Sequence, residues 1–125
     1  MPSCTTGWCW EYSVPPKMDY RAIRGTGHDN IWIVGGPQYK VILQWNGEVW
    51  TVHKHSAPGS LNGVWGSDTK SAWAVGDAGT LVEWDGSTWT PRSLGVSVDL
   101  YAIWGASSTD VWIAGEHGTI LRKRR

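Results

Sequence analysis

The sequence predicts an all-β fold, a β-propeller with three four-stranded blades. Three observations carry this: a repeat of about 40 residues, short strand-like runs cut by turn residues, and strands apolar at nearly every position. AIRGTGHDNIWIVGG from Ala22, GVWGSDTKSAWAVGD from Gly63 and AIWGASSTDVWIAGE from Ala102 align without gaps. Gly25, Gly66 and Gly105 coincide in that alignment, as do Trp32, Trp73 and Trp112. The repeats lie 41 and then 39 residues apart, and the two extra residues fall in the loop after Gly35.

Each element follows from residue type. In the second repeat, strand a spans 61–65, b 72–75, c 80–83 and d 88–92, drawing mostly on Val, Leu, Ala, Thr and Trp. No 3.6-residue apolar period is long enough for a helix. Asp85-Gly86 and Asn46-Gly47 each sit between a c and a d run, and such dipeptides favour a type I′ hairpin turn with positive φ at both residues. Strands b and c (IWIV, AWAV, VILQ, TLVE) leave no wet face, so each sheet must be covered on both sides. A blade stacked between two other blades meets that demand. A flat sandwich does not explain the period.

The third repeat ends after strand c, and GWCWEYSVP from Gly7 resembles the Trp-containing d segments. The chain therefore divides into an N-terminal strand (1–14), blade 1 (15–55), blade 2 (56–94) and a three-stranded blade 3 (95–125). Two bare blade faces exceed what a monomer exposes, so the expectation is a ring closed by oligomerisation. A homodimer gives six blades, within the usual range of roughly four to eight, and a homotrimer gives nine. In that scheme residues 7–14 pair with 118–123 of a neighbouring copy.

Composition narrows the partners. Formal net charge is zero, which gives no reason to expect nucleic acid or an anionic membrane. No stretch approaches the ~20 apolar residues of a membrane-spanning helix. The first residues lack the basic and apolar regions of a signal peptide, and a secreted or cell-surface setting is favoured for the mature chain. Cys4 and Cys9 either pair in an oxidising compartment or remain two thiols beside a strand.

Eleven Trp against four Tyr and no Phe is the outstanding compositional feature. Trp65 and Trp104 end strand a, and Trp45 and Trp84 end strand c, all toward the face that carries the a–b loops. With Asn46, Asp68 and Asp85 beside them, they are candidate ligand-binding residues. Sugars suit such a surface, since C–H faces stack on indoles while fixed polar groups read the hydroxyls. The competing reading is that Trp45–Trp50 and Trp84–Trp89 are cross-strand pairs that pack blade on blade. Trp32, Trp73 and Trp112, flanked by aliphatics in strand b, read as core. His53 and His55 lack a third metal ligand in the sequence and read as residues of a wet outer strand. Asp77, Glu116 and His117 read as solvated loop residues, and Arg122–Arg125 as a solvated strand end. No catalytic constellation, phosphate loop or zinc motif occurs, so neither an enzyme nor a cofactor is expected.

The pattern W-G-S/A-x-x-x-x-x-W-A/I-V/A-G-x-x-G-T-L/I followed by W-D-G-S-T-W resembles Trp-rich propeller repeats of large bacterial extracellular proteins. It is also similar to Asp-box propellers, which implies a structural turn role for Asp85. Small six-bladed lectins are similar in assembly alone. The resulting expectation is a non-enzymatic, lectin-like module binding glycans between blades; the alternative is a structural or protein-interaction propeller. Arg24 replaces the Trp of Trp65 and Trp104, and Lys123 that of Trp45 and Trp84, so a site using all these positions is not threefold.

Overall fold

The computed structural model describes residues 4–10 and 18–124. Three antiparallel sheets succeed one another in chain order. Blade 1 comprises β3 (Tyr20–Gly27), β4 (Asn30–Gly35), β5 (Val41–Trp45) and β6 (Trp50–Lys54); blade 2 comprises β7 (Leu61–Asp68), β8 (Ser71–Gly76), β9 (Leu81–Trp84) and β10 (Trp89–Pro91). Blade 3 holds β11 (Leu100–Ser107), β12 (Asp110–Gly115) and β13 (Ile120–Lys123). β7 packs between β3 and β11, so the three strands a lie side by side.

Every strand a carries the same two register shifts. They fall between Tyr20/Ala22 and Gly25/Gly27, Leu61/Gly63 and Gly66/Asp68, and Leu100/Ala102 and Gly105/Ser107. A bulge adds twist and leaves its extra residue out of the ladder. Thr26, Ser67 and Ala106 are the skipped residues near the a–b turns.

The core lies between sheets. Trp32, Val34 and Ile42 of blade 1 meet Val64, Ala72, Ala74, Val82, Trp84 and Trp89 of blade 2. Trp65, Trp73, Val75 and Leu81 on the other side of blade 2 meet Leu100, Val111 and Ile113 of blade 3. Blade 2 is thus covered on both faces, as its apolar strands require. Trp32 makes edge-on contacts with Trp84 and Trp89, with centroids 5.3 and 5.1 Å apart. Trp65 and Trp73 stack at 5.8 Å. Indoles fit here because the next blade offers a glycine. A Cβ built on Gly105 lies 2.7 Å from the Trp65 ring, and one on Gly66 lies 3.3 Å from Nε1 of Trp32.

Two expectations need correction. The c–d turns are not type I′, since Gly47 and Gly86 have positive φ but Asn46 and Asp85 do not. Trp84 registers with Trp89 across a four-residue loop closed by the Asp85 side chain, and Asn46 closes the Trp45–Trp50 loop likewise. Trp112 is partly exposed rather than core, because it faces away from blade 2. The N-terminal segment begins with a hairpin of its own, β1 (Cys4–Thr5) on β2 (Trp8–Cys9), bridged by a Cys4–Cys9 disulfide. Residues 11–14 of the expected exchanged strand lie outside the described residues.

Gly105→Ala should lower unfolding free energy by about 1–3 kcal/mol through overpacking against Trp65. Gly63→Ala, whose nearest neighbours stand at 3.4 Å, should cost less. Urea denaturation of the two variants checks the order.

Candidate functional site

The four candidate indoles do not converge. Trp65 is buried beneath Gly105, and Trp84 is buried against Trp32, Trp89 and the ring of His53, 4.7 Å away. Trp84 donates its Nε1–H to the Thr69 carbonyl at 3.0 Å. Neither offers a ring face to a ligand. Trp45 is half-buried against Trp50 at 5.2 Å, on the side of blade 1 that faces away from blade 2. Trp104 is 56% exposed on the opposite end of the array. The repeated inter-blade indole platform is therefore not formed within the chain, because the positions that would display Trp are the positions that pack blades.

The polar candidates serve their own turns. Asn46 Oδ1 accepts from the main-chain N–H of Glu48 and Val49, and Asp85 Oδ1 from those of Ser87 and Thr88. Those main-chain donors, Thr88 first, hold the Asp85 carboxyl below its usual range. Asp68 Oδ1 accepts from the Lys70 N–H at 2.8 Å and leaves the rest of its carboxylate to solvent.

Stacking the blades instead opens a groove that the sequence reading missed. It has a volume of about 550 Å³ and crosses all three strands a at their a–b ends. Arg24 and Asp68 supply opposite charges, and Gly25, Gly66 and Gly105 line it together with the bulged residues Thr26, Ser67 and Ala106. Ser67 Oγ is buried and has no hydrogen-bond partner. Of the candidate residues, only Trp65 and Asp68 reach this groove. The signal that foreshadows it is the W/R-G-S/A/T step, where a bulge follows each glycine.

The opposite ends of the strands a are tied by polar bonds. Arg21 donates to Asn62 Oδ1 at 2.7 Å, and Asn62 donates to Asp77 Oδ1 and to the Leu100 carbonyl. The Ala78 N–H donates to Asp99, and Glu116 accepts from the Asp99 N–H. Asp77, which Arg21 of blade 1 approaches to 3.9 Å, and Glu116, which holds the Asp99 main chain of its own blade, are therefore engaged instead of projecting freely into solvent. His117, beside Glu116, sits at φ 58 in a short turn, as Ala78 does at φ 57 in the turn before it.

His53 and His55 serve packing. His53 Nε2 lies 2.9 Å from Gln44 Oε1, and its ring contacts Trp32 and Trp84. No group of three potential metal ligands occurs among the described residues.

No family model matches the sequence, and no curated protein does. A solved structure described as "YCF48 bound to D1 peptide" superposes with a TM-score of 0.73 at 19% identity, covering 88% of this chain and 38% of that chain. The fold is that of a β-propeller. A second structure, "YCF48 from Cyanidioschyzon merolae", is 15% identical with a TM-score of 0.45, over 90% of this chain and 52% of that one. The propeller blades described here thus span about 38% and 52% of the lengths of these two proteins.

Burial lowers the pKa of both His53 and His55 below the ordinary 6.5, with Lys40 adding to the effect at His55. A neutral form preferred by the fold means that the unfolded chain takes up protons first as pH falls. Stability contributed by these rings is thus present above pH 6.5 and lost as pH drops below it. The urea midpoint should fall between pH 7.5 and 5.5, and His53→Gln or His55→Gln should each flatten that fall.

Proposed function

We propose that this chain is a non-enzymatic protein-interaction propeller module that holds a peptide segment of a partner protein in the groove over its strands a. The observation that carries the reading is the groove itself, which places three equivalent bulges in one line. Residues skipped by the ladder leave main-chain polar groups near the groove, and an extended peptide presents matching donors and acceptors at every residue. Arg24 and Asp68 supply a charge of each sign to orient it, and the Ser107 and Ser108 side chains add hydroxyls. The solved propeller with a TM-score of 0.73 is itself in complex with a peptide, which supports this class of ligand over a sugar. Burial of Trp65 and Trp84 weighs in the same direction. The Cys4–Cys9 bridge fits a protein that works in an oxidising compartment.

Peptides selected from a random library on the immobilised protein should lose at least roughly tenfold in affinity on Ala106→Trp, which fills the groove from an exposed position. Arg24→Glu should change which sequences are selected. Melting temperatures of both variants should match the parent. Selected peptides indifferent to both changes would overturn the reading, as would a selection that yields none.

A further inference from the structure

The two ends of the blade array are the two halves of the interface that recurs inside it. In blade 2, Trp65 and Trp73 lie opposite one another on adjacent strands and stack. Blade 3 covers that pair with Gly105, Val111 and Ile113. In blade 3 the equivalent pair is Trp104 and Trp112, again directly opposite, with Ala102, Ala114 and Ile120 on the same face. No other blade covers that face: it forms an apolar hollow of about 230 Å³, Trp104 and Ile120 are exposed, and only the Arg122 guanidinium lies over the Trp112 ring, 4.6 Å from its centroid. At the other end, Gly25 and Ile31 of blade 1 occupy the positions of Gly105 and Val111, and Ile23 and Ile33 those of Ile103 and Ile113. Ile23 is 67% exposed. Blade 1 therefore presents the notch and ridge that blade 3 uses to cover a Trp pair, while blade 3 presents a Trp pair that no blade covers.

An independent feature marks the same junction. Between blades 1 and 2 the outer rim is filled by Trp89 of β10, which contacts Trp32 edge-on. Between blades 2 and 3 no β10 equivalent is present among the described residues, and an apolar hollow of about 310 Å³ remains. Trp73, Leu81, Leu94, Ile103, Ile113 and Leu121 line it, together with the charged Glu83, Arg122 and Lys123. A dry cavity of about 150 Å³ already admits a benzene ring, so this one accepts an indole. In the repeat, the segment that fills such a rim directly precedes strand a of the following blade. For blade 1 that segment carries Trp10, which is 71% exposed.

We propose that the bare face of blade 3 and the rim hollow beside it form one docking surface for a second copy of this chain, which seats its blade 1 on Trp104 and Trp112 and its Trp10 in the hollow. One copy satisfies both features at once, because its N-terminal segment arrives where its first strand a arrives. The contact is head-to-tail: the surface used on one protomer differs from that used on its partner, and rotation closes it into a ring. The inference is independent of what the propeller binds.

Native mass spectrometry and sedimentation of the full chain test it. The parent should form a discrete assembly of two or more copies at micromolar concentration. Trp104→Asp and Ile23→Asp, both at exposed positions, should keep native circular dichroism yet each weaken self-association by roughly 30-fold or more. Mixing the two variants should restore a heterodimer, since each retains the half that the other has lost. Trp10→Ala should weaken assembly while leaving the hairpin disulfide intact. A folded monomer of the parent at 100 µM (roughly a hundred times a micromolar dissociation constant) would overturn the proposal. An assembly untouched by Ile23→Asp would do so too, because it would mean that like faces pair.

Discussion

Trp65 lies in the notch left by Gly105, and one blade earlier the strand-b indole of Trp32 lies with its Nε1 against Gly66. The rest of the structure depends on this indole-to-glycine contact between blades. An indole buries a large apolar area, but a sheet stacked on it needs a matching depression, and a glycine in the facing strand a supplies one without interrupting the sheet. The contact also sets the order of stacking, since blade 2 presents the indoles of its strands a and b on one side and the glycine on the other. Sheets with two apolar faces have no stable state alone, so cohesion comes from between blades rather than within them.

The groove follows from that stacking. Each bulge lies one residue beyond its notch glycine, so docking the glycines on the indoles lines up Thr26, Ser67 and Ala106. Polar bonds then fix the other end of the strands a, where Asn62 bridges Asp77 of its own blade and the Leu100 carbonyl of the next. The groove is thereby held by the same repeat that makes the core. Side chains at the skipped positions are free to differ between blades, as Thr, Ser and Ala do here. Arg24, in place of an indole, makes one end of the groove cationic.

Much of the fold was legible because the repeat is punctuated by residues with one physical use. Glycine at 25, 66 and 105 and Trp at 32, 73 and 112 located the strands, and Asp85 and Asn46 located the hairpins. The turn type was misread because Asp-Gly also begins a four-residue loop in which the carboxylate accepts from two main-chain N–H groups. The burial of Trp65 and Trp84 is hidden in the sequence for a related reason. Indoles at strand ends look displayed in sequence, but a neighbouring glycine decides whether they are covered, and that pairing spans blades. Trp112 failed in the opposite sense, since a strand-centre Trp is buried only if another blade follows. The groove left little trace, because a bulge is a matter of register and changes no residue type.

A double-mutant cycle on Trp65→Leu and Gly105→Val tests most directly the claim that indole-to-glycine contacts hold the blades in order. Unfolding free energies would be measured in urea for the parent, both single variants and the double variant. If the ring occupies the notch, shrinking it makes room for the added methyl groups, and the double variant is more stable than the sum of the single losses predicts by about 1 kcal/mol or more. Additive losses would show that Trp65 and Gly105 do not share that space, and the stacking account would fail.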